Sequence, residues 1–425
     1  MKILIQNGHV LDPLTGRDEI CDVLTDGSRI QAVGRELKAE ADQILDASGC
    51  YVMPGLIDLH VHLRDPGLTQ KETLETGGRA AARGGVTTVC AMPNTSPITD
   101  TKSKVEEVHR RAGEESPVHV IQLGSMTVGE SGKELADIQG MAEAGCHALS
   151  EDGKSVMNAS LFRQAMRKAK ENGLAVFSHC EDISMVEGGV MNAGPKAEEL
   201  GVKGITNSVE DVIVARDILI AKELDAQLHL CHCSTADSVK MVRAAKAEGL
   251  KVTAEVCPHH FILADEDIPE NNGIWKMNPP LRSRADVEAL REGLRDGTME
   301  VISTDHAPHM MSEKDKPMEE AAFGIVGLET SACLTYTELV EKGVLTMMQM
   351  AEKMSYNPAK ILGLEDKGSV SEGKTADITI FDPSAEYRID ASAFLSKGKN
   401  TPFDGYPVKG EVRCTIVDGR IVYQK

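Results

Sequence analysis

From about Tyr51 to Leu364 the chain alternates short apolar runs with stretches of helical spacing. The first run, Tyr51-Val52-Met53, crosses the turn pair Pro54-Gly55 into Leu56-Ile57. The others are Thr87 to Ala91, Val118 to Gln122, Ala148 to Ser150, Ala175 to Ser178, Leu228 to Cys231, Lys251 to Glu255 and Val301 to Thr304. Short apolar runs bounded by turn residues read as buried parallel strands. One intervening helix is explicit: Asn207 or Ser208 caps it, and Val209, Val212, Ile213, Leu219 and Ile220 fall on one predicted apolar face. Eight such alternations predict an α/β fold, a (β/α)8 barrel of TIM type.

The two ends differ from this centre. Met1 to about Gly49 and Gly368 to Lys425 alternate apolar and polar residues, with Gly and Asp turns and little helical spacing. Ile3 to Val10 echoes Cys414 to Val422, and both read as hairpins, with Asn7-Gly8 and Asp418-Gly419 as the turns. The expected organisation is therefore a barrel over residues 51–365 and one small, sandwich-like β domain built from residues 1–50 and 366–425.

Composition narrows the partners. The 46 basic and 66 acidic residues give a net charge of −20, which argues against nucleic acid or an anionic membrane as partner, so any anionic substrate must be captured locally. No apolar stretch approaches the roughly 20 residues that span a bilayer. The ten cysteines are scattered, and Met1-Lys2-Ile3-Leu4-Ile5 lacks a leader pattern, so a cytoplasmic protein with reduced thiols is expected. Aromatic residues are only 3%, leaving the core to aliphatic side chains. Cys231 and Cys233 flank His232, but strand alternation turns them from the face His232 uses, so both are expected to pack in the core.

The candidate chemistry sits where the strands end. Alternate residues of a strand share a face, so His60 and His62 of Asp58-Leu59-His60-Val61-His62 leave the first barrel strand together. Asp152, His179, His232 and Asp305 each close a later apolar run. In such barrels the carboxyl ends of the strands form one mouth, so these six should converge. Four histidines and two aspartates suit zinc and exceed the three protein ligands of a single catalytic ion. Two ions bridged by a carboxylate and a hydroxide account for the surplus. Such ions lower the pKa of bound water and supply a nucleophile at neutral pH.

At this point Gly55-Leu56-Ile57-Asp58-Leu59-His60-Val61-His62-Leu63-Arg64, followed by Met92-Pro93-Asn94-Thr95, resembles dihydroorotase of the bacterial first class. Ser150-Glu151-Asp152-Gly153, Ser178-His179-Cys180-Glu181, His232-Cys233-Ser234-Thr235 and Pro258-His259-His260 extend the likeness. So do Met277 to Arg282, Thr304-Asp305-His306-Ala307-Pro308-His309 and Gly373-Lys374-Thr375-Ala376-Asp377. The resemblance implies an amidohydrolase barrel that interconverts N-carbamoyl-L-aspartate and (S)-dihydroorotate in pyrimidine synthesis. It implies that His60, His62 and Asp305 hold the more buried ion, His179 and His232 the second, and Asp152 bridges them where relatives use a carbamylated lysine. It further implies Arg64, Asn94 and His309 on the substrate carboxylate, and Asn278 with the Phe323-Gly324 backbone on the ring. His62 and Leu63 also fall in the substrate contact set, and Asp305 is the expected general acid and base.

The residues bear on these roles directly. Arg64 can form a forked pair with a carboxylate, against the alternative of a surface pair with Asp65. Asp152 is preferred as the bridge over Lys154, which has the same strand parity. The polar stretch from His306 to Gly324 reads equally as a lid or as an ordinary exposed loop. His259 and His260 are left to the core or to support of the site, and His9, His109, His119, His147 and His229 have no assigned role. Rival functions are an allantoinase or hydantoinase, and an inactive scaffold for aspartate carbamoyltransferase. All six ligand positions are filled, against the scaffold; a homodimer, and a complex of active enzyme with that transferase, are both compatible with the sequence.

Overall fold

A computed structural model describes all 425 residues. The chain begins in a terminal sheet with β1 (Lys2–Asp12), β2 (Arg17–Asp26), β3 (Arg29–Gly34), β4 (Gln43–Asp46) and β5 (Tyr51–Pro54). The barrel follows with β6 (Leu56–Val61), β7 (Val86–Ala91), β8 (His119–Gln122), its continuation β9 (Gly124–Ser125), β10 (Ala148–Ser150) and β11 (Ala175–Ser178). A side ribbon pairs β12 (Met191–Asn192) with β13 (Gly204–Ile205). The barrel resumes in β14 (Leu228–Leu230), β15 (Val252–Val256) and β16 (Val301–Ile302). The chain then returns to the terminal sheet as β17 (Ile378–Arg388), β18 (Pro407–Val417) and β19 (Arg420–Gln424).

All neighbouring barrel strands are parallel. The ring closes where Val61 bridges His306 and the His62 N–H donates to the His306 carbonyl at 2.8 Å. Ile57, Leu59, Cys90, Ile121, Phe177, Cys231 and Val301 fill its interior. A larger aliphatic core lies between the strands and the outer helices. No helix is long and apolar enough to cross a membrane, and all ten cysteines are unpaired.

Three local expectations change. Tyr51–Pro54 pairs with β1 and β17, so it belongs to the terminal sheet and the chain enters the barrel at Gly55 rather than at Tyr51. A Cβ at Gly55 would stand 2.3 Å from Thr87, which explains the glycine at this crossing. Asn7-Gly8 is no hairpin turn: it is a bulge inside β1, where the register with β2 jumps between Ile5 and Gly8. The bulge lets one strand change partners, Ile3 to Gln6 pairing with β4 and His9 to Val10 with β5. By contrast Asp418 and Gly419, at φ 48° and 67°, form the two-residue turn between β18 and β19.

The third change concerns the helix Ser208–Leu224. Val212 and Leu219 face solvent, and Asn207 precedes the helix without a side-chain cap. Glu210 and Asp217 lie on the inner face beside Val209, Ile213, Val214 and Ile218, because they anchor the strand ends. Glu210 accepts from the Ser234 N–H at 2.9 Å, and Asp217 from the Ser178 hydroxyl at 2.5 Å. Two buried acids thus rotate the helix away from the face its aliphatic residues alone would choose.

Candidate active site

The six ligand-type residues meet at the mouth of the barrel, each at most 6% exposed. His60 Nε2 lies 3.2 Å from Asp152 Oδ1 and 3.5 Å from Asp305 Oδ1. His62 Nε2 lies 3.1 Å from Asp305 and 3.5 Å from Asp152. His179 Nδ1 stands 2.8 Å from His232 Nε2 and 3.6 Å from Asp152. His60, His62 and Asp305 form one triad of ligand atoms within 4.8 Å of one another, and His60, Asp152 and His232 form another. His232 and Asp305 reach the mouth with φ of 33° and 48°, a left-handed backbone held in place only by surrounding contacts.

This arrangement suits cations. His60 Nε2 and Asp152 Oδ1 are buried with no hydrogen-bond partner, which folded proteins seldom tolerate. Burial opposes ionisation of Asp152, yet the surrounding His60, His179 and His232 hold its carboxyl well below the usual range. Burial likewise works against charge on His179, but Asp152 and Glu181 raise its pKa to about 10. The carboxylates therefore attract positive charge, and divalent ions would replace the protons that otherwise supply it.

The imidazoles are aimed from behind. Glu255, fully buried, lies 2.9 Å from His60 Nδ1 and 3.2 Å from His229 Nε2, and accepts from the His232 N–H at 3.2 Å. Glu181 stands 3.1 Å from His179 Nε2 and accepts from the Asn278 amide at 3.0 Å. Asn94 Oδ1 lies 2.9 Å from His62 Nδ1, while its amide donates to Asp152 at 3.1 Å. Each contact leaves the other ring nitrogen facing the cavity, the usual way a protein fixes the tautomer of a metal-binding histidine. Asp58 ties two strand ends together by accepting from the His60 and Thr304 N–H groups at 3.0 and 3.2 Å, and burial raises its pKa to about 6.

A second wall faces this cluster across a cavity of about 220 Å³. Arg64, Asn94, Asn278, His309, Phe323 and Gly324 line it with the ligand-type residues His62, Asp152, His179, His232 and Asp305. Lys71 donates to His309 Nδ1 at 3.2 Å, which leaves Nε2–H to donate to the Phe323 carbonyl at 2.9 Å. Burial first, then the cations Arg64, Lys71 and Lys314, push the His309 pKa down to about 3, so its ring is a neutral donor. The rival pairing of Arg64 with Asp65 is not formed, since Arg111 holds Asp65 at 2.7 Å.

Other positions separate just as plainly. Lys154 is half exposed and points to Glu130 at 3.8 Å, whereas Asp152 faces the cluster. Leu63, expected among the substrate contacts, turns its side chain into the main core against Gly77, because it has the opposite parity to His62 and Arg64. Cys231 is buried in the barrel interior, yet its sulfur also comes within ligand range of His60 and Glu255. The expected turn away fails because β14 ends at Leu230 and His232 leaves strand geometry. His259 and His260 are buried, with His260 Nε2 2.9 Å from the Pro279 carbonyl oxygen.

The segment after Asp305 is mixed: Met310 to Ser312, Glu319 and Glu320 are exposed, whereas Lys314 and Met318 are buried. Its Lys314 is fully buried and donates to the carbonyls of Lys276, Ala322 and Gly324, each at 2.8 Å. Gly324 has φ 124°, and a Cβ there would lie 2.6 Å from Ala307, so the backbone itself faces the cavity. Glu255, Glu181 and Lys71 escaped the sequence reading. The one visible signal was a carboxylate set in the apolar strand Val252-Thr253-Ala254-Glu255-Val256.

A family profile described as Dihydro-orotase-like matches residues 49–238. A protein named dihydroorotase from Pelotomaculum thermopropionicum is 50% identical over 424 residues, covering 100% of this chain and 99% of its own. Another from Geobacter metallireducens is 47% identical over 426 residues and covers 100% of both. Among solved structures, the L-hydantoinase (dihydropyrimidinase) from Arthrobacter aurescens has a TM-score of 0.91 at 27% identity, covering 100% of this chain and 96% of that one. A D-hydantoinase has a TM-score of 0.87 at 24% identity, a likeness of fold alone.

Proposed function

The chain belongs to the dihydroorotase family, and on that premise we propose that it interconverts N-carbamoyl-L-aspartate and (S)-dihydroorotate in pyrimidine (UMP) synthesis. The observation that carries this reading is the meeting of six ligand-type side chains and an anion-binding wall around one cavity. We assign two zinc ions to it, His60, His62 and Asp305 holding the first, His179 and His232 the second, and Asp152 both. When bound, such ions supply an activated water and polarise the attacked carbonyl.

The remaining work belongs to the chain. Arg64 offers a planar fork, Asn94 an amide and His309 a neutral ring whose one N–H turns from the Phe323 carbonyl to the substrate carboxylate, which compensates locally for a molecule of net charge −20. Asn278 and the Phe323–Gly324 backbone orient the ring. Asp305 carries the proton: during ring opening it takes one from the attacking water and passes it to the departing ring nitrogen, while the water oxygen bonds the carbonyl carbon. In ring closure the same atoms move in reverse and water leaves.

The hydantoinase alternative draws on the shared barrel, which is common to both activities. Rates with dihydroorotate, allantoin and hydantoin measured side by side decide between them; preference for either of the latter two overturns the proposal. Metal analysis of the same preparation is expected to give two zinc ions per chain, and an inactive, metal-free protein would point to the scaffold. We further read the active form as a cytoplasmic homodimer that can join aspartate carbamoyltransferase. Light scattering with and without the transferase tests both associations.

A further inference from the structure

We infer that Asn400, on the segment between β17 and β18, is a positioning residue that sets where His309 stands at the cavity, with the Ala307 and Gly324 carbonyls as its anchor points. Its side chain is completely buried and saturated. Oδ1 accepts from the His309 N–H at 3.0 Å, and Nδ2 donates to the carbonyls of Ala307 at 3.0 Å and Gly324 at 3.1 Å. The Asn400 carbonyl accepts from the Val326 N–H at 2.9 Å. One residue thus joins both flanks of the loop from Ala307 to Val326, from 91 residues away in sequence.

Its neighbours press it into place. A Cβ at Gly398 would lie 2.7 Å from both Pro308 and Val326, so the segment lies flat on the loop only with glycine there. The same segment grips the other side of the anion wall. Lys397 Nζ donates to the Thr69 carbonyl at 2.6 Å, and the Ser396 hydroxyl donates to Glu72, which lies 3.4 Å from the ring of His306. Lys71, the residue between Thr69 and Glu72 that holds His309 Nδ1, is therefore tethered by the segment that holds the His309 backbone. Removing the Asn400 amide leaves the Ala307 carbonyl and the His309 N–H without partners beside the cavity, while Lys314 still holds the Gly324 carbonyl, and the loop must shift to satisfy them.

The inference rests on reading His309 as a substrate anchor, so the test is a double-mutant cycle that separates the two. Asn400→Ala, His309→Ala and the double variant are assayed for KM and kcat with dihydroorotate, and for bound metal. Asn400→Ala is expected to raise KM about tenfold with kcat and metal content little changed, and to add less than about twofold once His309 is already alanine. Losses that multiply overturn the inference while leaving His309 as an anchor, as does a fall confined to kcat. An unchanged KM in His309→Ala removes the anchor reading itself. Asn400→Ser, which keeps a small polar group, carries the same cycle if the alanine variant does not fold.

Discussion

The two walls of the cavity are built by different means. On one, His60, His62, Asp152, His179, His232 and Asp305 stand on or just past strand ends and are steadied by buried groups such as Glu255, Glu181 and Asn94. On the other, Arg64, His309 and Gly324 stand on loops that are shaped by Lys71, Lys314 and Asn400, the last 91 residues distant from His309. The barrel fixes the first wall through its own register, whereas the second depends on side chains brought in across the chain. On the proposed assignment, reaction chemistry would sit on the barrel frame and substrate selection on loops held to it by distant side chains.

Removing ions should break the first wall outright. Exhaustive chelation is expected to reduce ring opening of dihydroorotate to background, with zinc restoring it; persistence of activity after metal analysis shows none bound would refute the proposed mechanism. Asp305→Asn should lower kcat by about 10³-fold, within the range of general acid–base catalysis, with KM changed only a few-fold. An equal fall in substrate affinity would mean that Asp305 shapes the pocket rather than moving a proton.

Arg64→Lys sharpens the contrast from the other side. It keeps the charge but loses the fork, so KM should rise about 10- to 100-fold, some 1.4 to 3 kcal/mol of binding, with zinc content intact. Glu255→Gln should weaken zinc affinity about 10- to 100-fold in competition with a chelator, yet leave KM near normal when zinc saturates the protein. Lys71→Met should have the smallest effect, raising KM by about three- to tenfold. It also removes a cation that holds the His309 pKa down to about 3, so that pKa must rise and a pH dependence of KM should appear on the acid side. A profile as flat as that of the unaltered protein would show that Lys71 does not govern the ring.

The same division explains what could be read from sequence. The meeting of His60 and His62 was legible because strand alternation is local, and that of the four later ligand-type residues because each closes an apolar run. Asp418-Gly419 turned as its residue types predict, but the same kind of dipeptide at Asn7-Gly8 became a bulge, because β1 must change neighbours there. The inner face of Ser208–Leu224 departs from its aliphatic pattern because Glu210 and Asp217 are buried on partners 24 and 39 residues away. Leu63 turns its side chain into the core, as its parity opposite to His62 requires. Glu255 could have been suspected as an acid inside an apolar strand, whereas nothing near Asn400 announces its contacts.

β5 lies between β1 and β17, pairing Tyr51 to Pro54 with Ile378 to Phe381. During synthesis on the ribosome, the first strands must therefore wait with one side of β5 unpaired while the whole barrel is made. Only the final stretch of polypeptide seals that edge, and it brings Asn400 with it. Closure of the small sheet and delivery of Asn400 to the cavity thus fall to the same last stretch of chain, and a chain lacking it would leave the β5 edge open to pairing with another strand.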